Sequence, residues 1–296
     1  MPEAARLAEL LAAAAATYGA PSAANIVAGP GTQILLPRVA SLVNAGRVLV
    51  LSPTYAEHAR AAAIAGHVVA ETTDFDALAE ADVAILVNPN NPDGRIVPRE
   101  RLLKLADAMK AKAGLLVVDE AFMDVGPCDA SLAADAGHGG LVILRSFGKF
   151  FGLAGVRLGF ALTDRATAAR LESQLGPWAV AGPTLEYGIR ALGDIAWQEA
   201  MRRQLSEDAT RLDALFVRHG VPVAGGTSLF RYLDFGDAPG LFRALGRQGI
   251  LLRHFAERPH TLRSGLPGSE DEWQRLDAAL AGWAAKTDGS QNRIRA

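Results

Sequence analysis

Short apolar runs alternate with amphipathic stretches along the first two thirds of the chain. Four runs consist largely of Val, Leu, Ile and Ala, as expected for strands buried on both faces of a parallel sheet: 47–51, 83–87, 115–118 and 141–144. The stretches between them have the apolar spacing of helices, and the connections are short. This alternation predicts an α/β fold with a mainly parallel, doubly wound sheet and right-handed crossovers.

The pattern changes near Gly182-Pro183, which we interpret as a domain boundary. Beyond it, a long helical region (184–219) precedes several short strand-like and helical segments, as in a smaller α+β domain. The predicted organisation is an N-terminal helix at 1–20, a large α/β domain at 21–183, a small α+β domain at 184–287 and a polar, disordered tail at 288–296.

Composition narrows the class of protein. The 296 residues are 50% hydrophobic and 21% charged, as in ordinary globular proteins, and the net charge of −2 gives no sign of a nucleic-acid or anionic-membrane partner. The single cysteine, Cys128, excludes an intramolecular disulfide and any multi-cysteine metal site. We predict no bound metal, and we take the cytoplasm as the simplest compartment. The sequence has no apolar run long enough to predict a membrane span.

One lysine stands out in the stretch 145–160, which joins two apolar runs and is rich in glycine and phenylalanine. Of 30 basic residues only five are lysines, and four of these lie in polar surroundings. Lys149 alone has apolar and glycine neighbours, where loss of hydration would favour a nucleophilic amine. The alternative is a strand–loop–strand connection that carries a solvated lysine.

Further polar and aromatic residues follow the ends of the other predicted strands. Tyr55, Asn91 and Asp119 each come shortly after an apolar run, and the segment 29–33 (Gly-Pro-Gly-Thr-Gln) leads into a helix. Free N–H groups at such a helix start bind anions, although the same sequence is also an ordinary threonine-capped start. Ligands collect at the carboxyl ends of strands in open α/β sheets, so these positions predict one shared site.

Taken together, these motifs resemble the fold-type I pyridoxal-phosphate enzymes of aminotransferase class I/II, over essentially the whole chain. The matching segments are 88–94 (Asn-Pro-Asn-Asn-Pro-Asp-Gly), 119–122 (Asp-Glu-Ala-Phe) and 146–149 (Ser-Phe-Gly-Lys), followed eight positions later by Arg157. The resemblance implies pyridoxal 5′-phosphate as the cofactor.

The resemblance also implies a role for each matching residue. Lys149 would form the Schiff base with the cofactor, Asp119 would pair with the pyridine nitrogen, Asn91 would bond the ring oxygen O3′ and also lie beside the substrate, and Tyr55 would stack on the ring. The implied phosphate-binding set is Gly31, Thr32, Gln33, Ser146 and Arg157. Arg263, in the segment 262–267, is implied to bind the substrate α-carboxylate.

Two positions depart from the family pattern. Phe122 stands where many relatives have a tyrosine that donates a second hydrogen bond to O3′, and phenylalanine has no such donor. Gly148 stands where a hydroxyl residue that contacts the phosphate often precedes the lysine. Both differences are expected to tune the cofactor without preventing its binding.

Within the superfamily, five longer segments are similar to those of cobalamin-pathway threonine-phosphate decarboxylases, which are related to histidinol-phosphate aminotransferases: 28–33, 53–58, 145–152, 226–231 and 262–268. The implied reaction converts L-threonine O-3-phosphate, an amino-acid phosphate, to (R)-1-amino-2-propanol O-2-phosphate and carbon dioxide. Two alternatives remain: an aminotransferase that acts on histidinol phosphate or another amino acid, and a cofactor-binding protein with little activity.

The family further implies a homodimer with its active site at the subunit interface, and an N-terminal arm ahead of the helix at which this sequence starts. Because such an arm carries part of the substrate-phosphate site, we expect the chain as written to bind cofactor but to turn over threonine phosphate poorly. Three residues are candidates for the remaining phosphate contacts, although each is more readily interpreted as structural: Arg231, Arg253 and His254.

Overall fold

The structure, a computed structural model, describes residues 2–294, with side chains described as far as residue 285. The tail predicted at 288–296 lies outside the described side chains. The chain forms two units: the first runs to Asn91 and resumes at Arg95–Gln198, and the second combines Pro92–Gly94 with the chain from Glu199 onward. Within residues 2–294, every helix is too short or too polar to cross a bilayer.

The first unit is built on a seven-stranded sheet whose order is β1-β7-β6-β5-β4-β2-β3. Its strands are β1 (Ile26–Gly29), β2 (Arg47–Leu51), β3 (Val68–Thr72), β4 (Val83–Val87), β5 (Leu115–Asp119), β6 (Leu141–Ser146) and β7 (Gly159–Thr163). Only β7 runs against its neighbours, so β2 to β6 form one continuous parallel block. The predicted mainly parallel α/β sheet is therefore confirmed.

Burial explains why the apolar runs form the centre of this sheet. Every residue of β4, β5, β6 and β7 is buried, and the edge strand β3 is largely exposed. The helices of the unit are α1 (Ala4–Tyr18), α2 (Thr32–Ala40), α3 (Glu57–Ile64), α4 (Arg99–Ala111), α5 (Arg165–Leu175) and α6 (Gly182–Gly193). Leu35 and Val39 of α2 pack against Val142 and Leu144 of β6 in one hydrophobic core.

The structure differs from the prediction around residues 182–198. The predicted boundary at Gly182-Pro183 falls at the start of α6, which packs on α1 and belongs to the first unit. Three contacts join these helices: Arg6 donates to Glu186 over 2.6 Å, the Thr17 hydroxyl donates to the Leu192 carbonyl, and Gly188 leaves room for the Leu10 side chain. The N-terminal helix is accordingly an integral part of this unit.

Two further local differences concern helices. The helical region predicted at 184–219 is divided at Asp194 into α6 and α7 (Ile195–Arg218), and the Asp194 carboxylate accepts a hydrogen bond from the Trp197 N–H in the first turn of α7. Helix α5 follows β7 and was not predicted. Its N-cap is Asp164, which accepts from the N–H groups of Ala166 and Thr167, a cap preference that was readable in the sequence.

The second unit is α+β. Its four-stranded antiparallel sheet has the order β10-β11-β9-β8, and the strands are β8 (Gly225–Thr227), β9 (Phe230–Asp234), β10 (Arg253–His254) and β11 (Thr261–Gly265). Helices α8 (Ala238–Gly246) and α9 (Glu270–Ile294) accompany this sheet. A core that includes Phe216, Leu241, Trp273 and Leu280 holds the unit together.

A buried charge cluster lies where β5 and β6 end. Arg145 donates to Glu120 over 2.8 Å and to Asp124 over 2.9 Å, and its guanidinium lies 4.4 Å from the ring centroid of Tyr18. Glu120 also accepts from Ser131 and from the Leu132 N–H, both at 2.7 Å. Burial raises the pKa of Glu120, which Arg145 opposes, so the carboxylate depends on this cation to remain charged.

We expect Arg145→Met to lower the free energy of unfolding by about 3–5 kcal/mol, because the substitution leaves two buried carboxylates without their cation. Urea denaturation measures this change. Arg218→Met is the control, since Arg218 pairs with Asp277 at the surface and should cost less than about 1 kcal/mol. Equal losses in the two variants would contradict a special role for the buried cluster.

Candidate active site

A cavity of about 410 Å³ opens in the first unit at the carboxyl edge of the parallel strands. All nine residues predicted to bind the cofactor line it: Gly31, Thr32, Gln33, Tyr55, Asn91, Asp119, Ser146, Lys149 and Arg157. Glu57 and Phe122 are also part of the lining. The structure thus brings the predicted set together, while the role of each residue stays a prediction.

Strand order accounts for this convergence. Strands β6, β5, β4 and β2 are adjacent and parallel, so their carboxyl ends lie at one edge of the sheet. Ser146 and Asp119 are the last residues of β6 and β5, and Asn91 and Tyr55 lie in the loops after β4 and β2. Because β7 is antiparallel, its first residue, Gly159, lies at the same edge and pairs with Ser146.

One end of the cavity is suited to an anion. Helix α2 begins at Thr32 without a side-chain cap, and the N–H groups of Thr32 and Gln33 have no partner within the helix. A Cβ on Gly159 would lie 2.5 Å from the Thr32 nitrogen, and a Cβ on Gly31 would lie 2.8 Å from an Arg157 Nη. Glycine at both positions therefore lets the helix start and the exposed guanidinium face the cavity, where they can bind a phosphate.

The other polar end is the carboxylate of Asp119, which is only 6% exposed. Its Oδ2 lies 3.0 Å from His58 Nε2, and its Oδ1 accepts a hydrogen bond from the Ala121 N–H at 3.0 Å. The sequence motifs assign no role to His58, although it lies in the matching segment 53–58. A histidine one helical turn after the stacking aromatic was the available signal.

Lys149 is exposed, which contradicts the expectation that its apolar neighbours would desolvate it. The neighbouring rings of Phe147, Phe150 and Phe151 are buried and pack on one another instead, with Phe147 and Phe151 stacked at 4.3 Å. The lysine itself lines the cavity, with its Nζ 5.6 Å from the ring centroid of Phe122. Its amine is thus open to a reactant.

Tyr55 belongs to a short hydrogen-bond chain along the cavity wall. Its hydroxyl lies 3.4 Å from Gln33 Oε1, and Gln33 Nε2 donates to Glu57 at 2.6 Å. The side-chain amide nitrogen of Gln33 is directed to Glu57, while its backbone N–H at the start of α2 can donate to a phosphate. Partial burial, with the nearby carboxylates of Glu57 and Asp119, raises the pKa of Tyr55, so the phenol remains neutral.

The arginines singled out for the substrate lie in the second unit. Arg263 of β11 is paired in register with Arg253 of β10, and its guanidinium is 5.1 Å from the Phe230 ring centroid. Burial lowers the pKa of Arg263, and the charge of Arg253 lowers it further, so an anion here would be favoured. Arg231 is engaged by Asp213 at 2.6 and 2.7 Å, in keeping with its structural interpretation.

The residues present fit pyridoxal 5′-phosphate. Asp119 is a held carboxylate suited to a protonated ring nitrogen, the start of α2 with Arg157 is suited to a phosphate, and Lys149 offers an open amine for an aldehyde. Phe122 offers no hydroxyl for a hydrogen bond to O3′, and Asn91, for which the resemblance implies that bond, also lines the cavity.

We expect Gly159→Ala to weaken binding of pyridoxal 5′-phosphate roughly tenfold or more, because the added methyl group displaces the Thr32 N–H from the anion-binding end. Titration of the apoprotein with cofactor, followed by its visible absorbance, measures the affinity. Gly155→Ala is the matched control, since its Cβ would meet no atom within 4 Å. An unchanged affinity in Gly159→Ala would argue against a phosphate at this position.

Comparison with known proteins gives concordant results. The chain is 46% identical to a threonine-phosphate decarboxylase of Pseudomonas aeruginosa (93% of this chain, 82% of that protein) and 41% identical to one of Sinorhizobium sp (85% and 76%). Its fold matches that of a histidinol-phosphate aminotransferase from Sinorhizobium meliloti solved in complex with pyridoxal-5′-phosphate, with a TM-score of 0.84, 25% identity and coverage of 97% of this chain and 83% of that one. The family model of aminotransferase class I and II matches residues 2–280. The chain therefore belongs to the aminotransferase class I and II family and has the fold-type I architecture of its pyridoxal-phosphate enzymes.

Proposed function

We propose that this chain catalyses the pyridoxal-phosphate-dependent decarboxylation of L-threonine O-3-phosphate to (R)-1-amino-2-propanol O-2-phosphate and carbon dioxide, a step in cobalamin biosynthesis. The observation that carries the proposal is the cavity at the carboxyl edge of the sheet, which combines an open lysine amine, a held carboxylate and an anion-binding helix start. The similarity to a threonine-phosphate decarboxylase along 93% of the chain supports the choice of reaction.

Pyridoxal phosphate, when bound, supplies an aldehyde that captures an amine and a protonated pyridine ring that withdraws electrons. Different residues of the chain would hold different parts of the cofactor. Asp119 would keep the proton on the ring nitrogen through its negative charge, and Tyr55 would stack on the ring. The start of α2, Ser146 and Arg157 would bind the phosphate, and Asn91 would donate to the ring oxygen; all of them line the cavity.

Decarboxylation breaks the bond between Cα and the carboxylate carbon of the substrate. Carbon dioxide leaves without the bonding electron pair, and a proton must then take its place on Cα. Lys149 Nζ is exposed to the cavity and is the amine suited to donate that proton. We assign Arg263 to the substrate carboxylate, because its partly buried guanidinium forms a favourable site for an anion.

A second candidate function is transamination of histidinol phosphate or another amino acid. The observation that favours it is the match in fold to the histidinol-phosphate aminotransferase described above, because the same cavity serves both reactions. In transamination Lys149 would remove the proton from Cα instead of donating one to it. The two reactions differ in which bond to Cα breaks, so their products distinguish them.

We also propose that the chain works in the cytoplasm as a homodimer. The single cysteine and the absence of a bilayer-spanning helix within residues 2–294 support the compartment. The family resemblance supports the dimer, in which a second copy would complete the active site.

A product assay with L-threonine O-3-phosphate tests the proposal. We expect release of carbon dioxide in equal amount to aminopropanol phosphate, with Lys149→Ala at least a thousandfold slower, because the variant has no amine to capture the aldehyde. Formation of a keto acid without carbon dioxide would favour the aminotransferase. A visible absorbance that depends on Lys149, with no turnover of threonine phosphate or histidinol phosphate, would favour a cofactor-binding protein with little activity.

The assignment of Arg263 has its own test. We expect Arg263→Gln to raise KM for threonine phosphate roughly tenfold to a hundredfold while cofactor affinity stays at the wild-type value, since loss of a charge-assisted hydrogen bond to the substrate should not reach the cofactor. Steady-state kinetics and cofactor titration provide both numbers. Arg243→Gln, at an exposed position on α8, is the control. An unchanged KM in Arg263→Gln would remove Arg263 from the substrate site.

A further inference from the structure

We infer that the buried side chain of Asn90 is a positioning residue that ties the loop carrying Asn91 to the loop carrying Tyr55. The inference rests on the proposed cofactor site and deepens it, because it concerns how that site places a hydrogen-bond donor and an aromatic ring around one cofactor. Two hydrogen bonds carry it: the Thr54 hydroxyl donates to Asn90 Oδ1 at 2.8 Å, and Asn90 Nδ2 donates to the Pro53 carbonyl at 3.0 Å.

The first step concerns the two loops, which leave the sheet side by side. They follow the adjacent parallel strands β2 and β4, whose paired positions end at Val50 and Ile85. Tyr55 lies five residues after the first of these positions, and Asn91 lies six residues after the second. The contacts of Asn90 cross this interval, so they join two segments that the strand pairing does not reach.

The second step concerns how Asn90 is itself held. Asn90 is 1% exposed, and its backbone N–H donates to the Arg95 carbonyl at 2.8 Å. The Asn88 side chain closes the same loop, because it accepts from the Val97 N–H at 2.8 Å and donates to the Val97 carbonyl at 3.2 Å. A buried side chain on a closed loop has little freedom to move, so the segment 53–55 is anchored to a fixed point.

The third step concerns the choice of an amide. An amide offers an acceptor and a donor at once, whereas an apolar side chain would leave both the Thr54 hydroxyl and the Pro53 carbonyl without this partner. Tyr55 is 43% exposed, so core packing alone does not fix its ring, and its position depends on the backbone just before it. Asn90 therefore sets where Tyr55 stands relative to Asn91, and both of these residues line the cavity.

A pair of substitutions at Thr54 tests this link. Thr54→Val removes the hydroxyl with little change in shape, and Thr54→Ser keeps it. We expect Thr54→Val to weaken binding of pyridoxal 5′-phosphate by the apoprotein roughly fivefold, and Thr54→Ser to bind it as the wild type does. Titration of the apoprotein, followed by its visible absorbance, gives both affinities.

The pH profile of the same absorbance shows whether the effect passes through Asn91. A donor to the ring oxygen O3′ stabilises negative charge there and makes the cofactor release its proton more readily. Thr54→Val should therefore move the midpoint of the absorbance change to higher pH, because Asn91 is displaced. In an Asn91→Ala background, Thr54→Val should move the midpoint no further.

Thr163→Val is the matched control for a lost hydroxyl. The Thr163 hydroxyl is also buried and donates to the Leu141 carbonyl at 2.7 Å, at the opposite end of the sheet from the cavity. We expect this variant to lose stability to urea while its cofactor affinity and absorbance midpoint stay at the wild-type values.

The outcomes separate this inference from the proposed function. Wild-type affinity and midpoint in Thr54→Val would overturn the role of Asn90, and so would equal changes in Thr54→Val and Thr54→Ser. A midpoint shift of the same size in Thr163→Val, or one that persists without Asn91, would indicate a general effect on stability and would also overturn it. Failure of the wild-type chain to bind the cofactor would instead contradict the proposed function itself.

Discussion

The structure of the first unit depends on an ion cluster that is sealed inside it. Arg145 and Glu120 stand on adjacent parallel strand ends, and each lies beside a residue of the candidate active site: Arg145 precedes Ser146, and Glu120 follows Asp119. Successive residues of an extended chain point to opposite faces of a sheet. The ion pair therefore holds the ends of β5 and β6 together on one face of the sheet, while Asp119 and Ser146 line the cavity on the other.

This arrangement explains why two consecutive acids follow an entirely apolar strand. Asp119 and Glu120 are both buried, but their partners differ in kind. Glu120 is matched by a permanent cation and by two further donors, and its role is structural. Asp119 is matched by the ring of His58 and one backbone donor, and it lines the cavity. Neighbouring carboxylates thus acquire different chemistry from the two faces of one sheet.

The phosphate end of the cavity depends on space as much as on charge. The register of β7 places Gly159 between Gly29 of β1 and Ser146 of β6, directly against the start of α2. A side chain at this position would collide with the Thr32 nitrogen, so the helix can approach the sheet edge only because glycine is present. Arg157 reaches the same region from a left-handed conformation (φ 56°), two residues before β7 begins.

Much of this protein was determined by its sequence alone. Buried strands are recognisable in the sequence as apolar runs, and their alternation with helices is compatible with few topologies. The parallel block from β2 to β6 was therefore predictable, and so was the position of the polar residues at one edge of the sheet. Motifs such as 88–94 and 146–149 have residue types that few other sites require, which is why the cofactor could be inferred before the structure.

Other features were decided only by the tertiary structure, because they depend on partners distant in sequence. His58 lies 61 positions from Asp119, and Arg145 lies 25 positions from Glu120, so the sequence does not show which residue each of them contacts. The placement of α6 with α1 likewise depends on contacts across about 180 residues. The burial of Lys149 predicted from its apolar neighbours was wrong. Neighbouring side chains of one loop can point into the core or into a cavity, and packing decides which of the two each side chain does.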